Sequence, residues 1–347
     1  MFKKISLMLM FIIGILLITS CSNSKKDEKA NKDVKEQKVL KVVAAYGGKE
    51  KIFQKFTEET GIKVEFIDMS SGEVLSRIKA ENGSPMADVW FGGGADSFIA
   101  AKNAGLLEAY KSKEAEKIPD KYKDADGYWT GISIVTVGFM VNKDVLKEKN
   151  LPMPKKWEDL TNEKYKGEVM MADPSISGTN YAMVNGLIQA LGEEKAWDYF
   201  DRLNKNIPFF AKRGSEPGNK VSTGEFAIAI VPMSLEAFTL EKKFPVETIY
   251  PEDIIPWVPA PVAIFKNAKN IDSAKLFVDW ALSQKGQQFI HEQDPRIMVR
   301  DDINLSKDMK AVPMDKLIKM DISLVGSKRE EILKTWVEKF GSKSVKK

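Results

Sequence analysis

The sequence predicts an α/β fold, and three observations lead there. From residue 39 onward strand-like and helix-like patterns alternate. The strands run into loops rich in glycine and hydroxyls. The chain, 347 residues long, leaves room for two lobes of ordinary domain size. Because parallel strands need crossover connections, the alternation implies a mostly parallel sheet covered on both faces by helices.

The amino-terminal segment precedes that pattern. Lys3 and Lys4 stand before an apolar run from Leu7 to Ile18, which is too short for a membrane span of about 20 residues and suits a signal-peptide core. "ITSC", Ile18 to Cys21, resembles the lipobox of bacterial lipoproteins, so residues 1–20 are expected to be removed and lipid attached at Cys21. Cys21 is the sole cysteine, which excludes a disulfide framework and a cysteine metal cluster. Residues 21–38 hold six lysines and four acids with one branched apolar residue. They cannot bury a core and read as a disordered tether. With signal and tether set aside, 45 bases face 45 acids. That balance speaks against a nucleic-acid surface, which needs a basic stripe.

The elements follow in order. "VLKVVAAYG", 39–47, is a strand ending in a glycine pair; Ile52, Phe53 and Phe56 stripe a helix that Gly61 terminates; 62–68 is the next strand. Val74, Leu75 and Ile78 mark a second helix. Strand 87–91, glycine loop 92–94 and a further helix repeat the design. In "MADPSISGTNY", 171–181, a buried strand ends in a hydroxyl-rich turn. Met183, Val184, Leu187, Ile188 and Leu191 then share one helical face, and Gly192 takes the C-terminal cap, so this helix begins near Ser177 or Gly178.

In sheets of this kind ligands sit over the carboxyl ends of the strands. Three loops occupy that position: Tyr46 to Lys49, Gly92 to Ser97, and Asp173 to Thr179. Candidate binding residues there are Tyr46, Gly47, Gly94, Ser97, Ser177, Gly178 and Thr179. The last three open a helix whose free N–H groups and dipole suit an oxyanion, with Gly178 removing a Cβ from its path. The same turn also reads as an ordinary capped helix. Catalytic patterns are missing. Residues 92–97 read G-G-G-A-D-S and lack the third glycine of a dinucleotide fingerprint, and no G-x-x-x-x-G-K-[ST] or G-x-S-x-G occurs. The single histidine, His291, sits in "SQKGQQFIHEQ" as a satisfied or solvent-facing helix residue.

Taken in order, the lipobox, "VVAAYGGKEKIFQKFTEETGIKVEF", "ADVWFGGGADSF", "DGYWTGISIVTVGFMVN", "DPSISGTNY" and "IIPWVPAPVAIFKNAKNIDSAKLFVDWALSQKGQQFI" resemble the extracellular solute-binding proteins of ABC importers. The resemblance is to the branch with ferric-ion, phosphonate and sugar-phosphate binders. It implies a type II periplasmic-binding-protein fold of two lobes with crossover hinge strands, residues 39–134 plus 258–305 forming one lobe and 135–257 plus 306–347 the other. It also implies an ABC permease as partner, a lipid-anchored place in the cell envelope outside the cytoplasmic membrane, a monomer, no cofactor and no catalysis. Ser215 and Ser234 match cleft loops of these relatives, and Tyr46 and Trp257 would supply aromatic walls. Ferric binders carry an adjacent tyrosine pair where this chain has Pro232 to Leu235, and sugar-phosphate binders an acidic grip where it has Val258. The solute expected is therefore a small anion such as a phosphonate or phosphate ester, with no metal ligands assigned. An anion-supported ferric complex and an exported α/β enzyme are the alternatives.

Overall fold

This computed structural model describes residues 38–81 and 83–344; the signal segment, Cys21 and the tether through residue 37 lie outside them. The first elements follow the expected alternation: β1 (Val39–Ala45), α1 (Lys49–Thr60), β2 (Lys63–Asp68), α2 (Ser71–Ala80), β3 (Val89–Gly92) and α3 (Ala95–Asn103). β1 lies between β2 and β3, parallel to both. In α1 the stripe Ile52, Phe53 and Phe56 is buried, and Gly61 ends the helix at φ 72°, a left-handed cap that glycine adopts without a Cβ clash. Phe53 and Phe56 meet Phe277 from a later helix at 5.8 and 5.0 Å between ring centres. Burying each ring stabilises by about 1.5–3 kcal/mol.

The chain continues through β4 (Leu107–Glu108), β5 (Thr130–Asn142), α4 (Lys143–Glu148), β6 (Val169–Ala172), α5 (Gly178–Leu191), α6 (Glu193–Asn204), β7 (Phe210–Ala211), α7 (Glu216–Ser222), β8 (Ile228–Pro232), α8 (Leu235–Lys243) and β9 (Val246–Ile249). Then come β10 (Trp257–Phe265), α9 (Ile271–Leu282), α10 (Gln284–Gln293), β11 (Ile297–Met298), α11 (Lys307–Lys310), α12 (Ile322–Ser327) and α13 (Arg329–Phe340). The strand order is β2-β1-β3-β10-β5-β8-β6-β7. Parallel pairing holds among β1, β2 and β3 and among β6, β7 and β8. The central contacts of β10 with β3 and β5, and of β5 with β8, are antiparallel instead. A strand that carries the chain back across the sheet enters from the opposite end, so the mostly parallel expectation fails there.

β5 organises the molecule. All of its 13 residues are buried. Thr130–Thr136 pairs with β10, while Val137–Val141 pairs with β8 and Phe139–Asn142 with β9. One strand thus serves two groups of strands, and the β9–β10 connection passes back between them. α13 is held on the far group and α12 lies between that group and α3: Trp336 packs 5.6 Å from Phe200 and 5.3 Å from Phe210, and the Tyr181 hydroxyl donates to the Val325 carbonyl at 2.7 Å.

Candidate functional site

The carboxyl ends of β1, β3, β6, β7 and β8 open into one cleft of ≈ 210 Å³. The three glycine and hydroxyl loops expected from the sequence converge here, each just before a helix: Gly93 and Gly94 start α3, and Ser177 to Thr179 start α5. The amino end of α2 joins them through Ser70 and Ser71. Close approach explains the glycines. A Cβ on Gly178 would lie 2.3 Å from the Ser71 Oγ and 3.1 Å from the Gly94 nitrogen. Gly93 holds φ 94°, and its Cβ would meet that of Ser71 at 2.7 Å.

At the start of α5 the hydroxyl and the backbone divide the work. Ser177 Oγ is the N-cap, accepting from the Asn180 backbone N–H at 3.4 Å and from its side-chain amide at 3.1 Å, and it shares a 3.1 Å bond with Thr179 Oγ1. Among the described residues nothing accepts from the N–H groups of Gly178 and Thr179. Those two donors are without a partner, on residues that line the cleft at the positive end of the helix dipole.

Charge reaches the cleft from segments that the periodicity does not mark. Arg296, 7 % exposed, lies over the Tyr46 ring at 3.9 Å and is ion-paired with Asp294 at 2.6 Å, its Nε left without a partner. Asp294 in turn accepts from the Gly47 N–H at 3.1 Å and from the Leu235 N–H, at the start of α8, at 2.9 Å. A Cβ on Gly47 would collide with that carboxylate at 2.6 Å. The Tyr46 hydroxyl shares a 2.8 Å bond with Ser133, and burial pushes its pKa up to about 12. At the mouth Asp68 stands 3.4 Å from both Lys49 and Arg213, and Glu236 joins the lining, its carboxyl raised by burial.

The candidate residues sort themselves by position. Tyr46, Gly47, Gly94, Ser177, Gly178, Thr179, Ser215 and Ser234 line the cleft. Ser97 and Trp257 do not. Ser97 is fully buried and its hydroxyl donates to Asp96 at 3.1 Å, because the turn of α3 carries it behind the loop. The Trp257 indole donates to the Ile318 carbonyl at 2.7 Å and packs edge-on against Tyr122, which makes it core. Sequence reading missed Lys49, Asp68, Arg213, Glu236 and Arg296. His291 is a buried, satisfied residue: its Nε2 accepts from the Ser306 N–H at 2.7 Å and its Nδ1 lies 2.9 Å from the Arg296 carbonyl.

Comparison with known proteins adds to this geometry. The family described as bacterial extracellular solute-binding protein matches residues 84–318. The chain is 34% identical to an uncharacterised protein of Haemophilus influenzae over 82% of this chain and 84% of that one. It is 26% identical to Iron uptake protein A1 of Synechocystis, over 89% of each chain. Among solved structures it is similar to the periplasmic binding protein AfuA of Actinobacillus pleuropneumoniae with exogenous fructose-6-phosphate bound, at TM-score 0.83 and 31% identity, covering 88% of this chain and 99% of that one.

Proposed function

Because this chain belongs to the bacterial extracellular solute-binding protein family, we propose that it captures a small phosphonate or phosphate ester and hands it to the permease of an ABC importer, held at the membrane by lipid on Cys21. It is a solute-binding protein with the two-lobed type II fold. In this reading residues 39–134 with 258–305 form one lobe, and 135–257 with 306–347 the other. One observation carries the choice of an anion. A nearly buried arginine with an unpartnered Nε lines the same cleft as two free N–H donors at the start of α5. Burying a guanidinium with an unused donor is costly unless an acceptor arrives, and an oxyanion meets both arginine and helix terminus. The sugar phosphate bound by AfuA is an anion of this class.

A ferric solute fits less well. Fe(III) favours hard phenolate oxygen, yet the Tyr46 hydroxyl is already engaged by Ser133 at 2.8 Å. Pro232 and Ser234 line the cleft where ferric binders carry tyrosines.

Native mass spectrometry of protein extracted in detergent from its own cells tests the proposal in one spectrum. The expected result is a lipid mass on the chain beginning at Cys21, together with a phosphorus-containing adduct that the Arg296→Met variant lacks. An iron adduct, or an unlipidated chain, would overturn the corresponding part.

A further inference from the structure

A second arginine stands behind the cleft, outside its lining. Arg329, the first residue of α13, is 9 % exposed and donates through Nε to Asp96 at 2.8 Å, while its Nη2 lies 3.5 Å from the Ser175 carbonyl. Its two partners belong to opposite sides of the cleft. Asp96 sits in the first turn of α3, and Ser175 in the turn that leads into α5. α13 itself is fixed beside α6 and β7 by Trp336, and α12 presses on α3 so closely that a Cβ on Gly326 would fall against Ile99.

Asp96 is fully buried, and its Oδ1 has no partner. That oxygen lies at the back of the two glycines that face the cleft: a Cβ on Gly94 would be 2.4 Å from it, and one on Gly178 3.0 Å. A carboxylate so placed opposes any anion seated on those glycines, and in a partly desolvated cleft such repulsion acts with little screening. Burial raises the Asp96 carboxyl above its ordinary value, and the charge and hydrogen bond of Arg329 pull it back.

We infer that Arg329 is a positioning residue for anion capture: it neutralises Asp96 behind the Gly94–Gly178 contact and ties the start of α3 to the turn before α5. The ion pair gives the cradle its floor without touching solute. This rests on the anion reading above. It differs from a plain structural ion pair in one respect, since removing the Asp96 charge must restore what removing Arg329 loses.

Calorimetry with inorganic phosphate and with methylphosphonate, beside thermal melts, tests it on wild type, Arg329→Met, Arg329→Lys and the double variant Arg329→Met with Asp96→Asn. Arg329→Met is expected to weaken binding about tenfold or more at the alkaline end of the pH range, where the buried Asp96 carboxyl is ionised despite its upward shift, the size that one nearby like charge produces at an effective dielectric near 20. Arg329→Lys keeps the charge and should lose less. The double variant should regain most of the affinity whatever its melting temperature. Unchanged affinity in Arg329→Met, or a double variant as weak as the single one, overturns the inference while leaving the anion reading intact. A wild type that binds neither probe overturns the anion reading itself.

Discussion

At the scale of single residues, the chemistry of this cleft depends on groups whose meaning is tertiary. Arg296 follows a proline in "QDPRIMVR" and belongs to no periodic face. Its role exists only because Tyr46 and Asp294 come to lie beside it, and nothing in their spacing announces that. His291 illustrates another case, a residue that the sequence leaves either satisfied or solvent-facing and that the structure buries with both ring nitrogens engaged. Since the Ser306 N–H occupies Nε2, the ring proton sits on Nδ1 and is donated to the Arg296 carbonyl. Protonating Nε2 would oppose two donors, and burial lowers the pKa from 6.5. Above 6.5 both folded and unfolded chains hold a neutral ring and the contribution is complete. Below it the unfolded chain takes up a proton that the folded chain refuses, so stability falls with pH, at most about 1.4 kcal/mol per unit, until the folded ring titrates too. We predict that the gap in melting temperature between wild type and His291→Gln narrows from about pH 7.5 to about pH 5.5. A gap of constant width across that interval would remove His291 from the acid response.

At the scale of elements, helix starts were the legible part. The stripe ending at Gly192 places α5 correctly from Gly178, and the three loops at strand ends do meet at one cleft. What the pattern leaves out is which side of a helix or strand start faces the cleft, and so neither Ser97 in α3 nor Trp257 at the start of β10 could be told from the residues that line it. Ser177 shows the same limit. As a hydroxyl on an anion turn it invites a role in binding, whereas its oxygen already accepts two bonds from Asn180. The two positions of this turn should therefore respond differently. Ser177→Gly is expected to cost only a few tenths of a kcal/mol of stability, glycine being a fair cap, with affinity for phosphate nearly unchanged. Gly178→Val places carbon atoms where Ser71 and Gly94 stand, so α5 cannot close on α2 and α3, and affinity should fall well over tenfold, at about 1.4 kcal/mol per decade. Parallel calorimetry and melts on both variants decide it; equal effects on affinity would mean that the hydroxyl, not the approach of the backbones, makes the site.

At the scale of the whole molecule, the two sides of the cleft are shut upon each other. The Gly72 N–H, at the start of α2, donates to the Ile176 carbonyl at 3.2 Å, and Arg213 reaches Asp68 at 3.4 Å. Neither contact is strong enough to hold the lobes alone: the Arg213–Asp68 pair is about half exposed on each partner, and such pairs contribute about 0–1 kcal/mol. The strands between the lobes are few, with β5 shared by both strand groups and the β9–β10 connection returning, which is the construction of a hinge. A hinge latched by these contacts together with the Leu235–Asp294 bond and the buried Arg329–Asp96 pair should shift toward open when its donor set is unfilled, and solute should close it in proportion to its preference for the closed form. Raising the closed fraction from about a tenth to about nine tenths requires roughly hundredfold tighter binding to that form, which the free α5 donors and Arg296 supply only when both lobes contribute. We predict that the radius of gyration from small-angle scattering shrinks on saturation with methylphosphonate in wild type. In Gly178→Val it should stay at the larger, solute-free value, because the steric block lies in the closed form alone. Superimposable wild-type curves with and without solute would mean that the cleft is a rigid cavity, and the interlobe contacts at Gly72 and Gly178 would then be permanent packing.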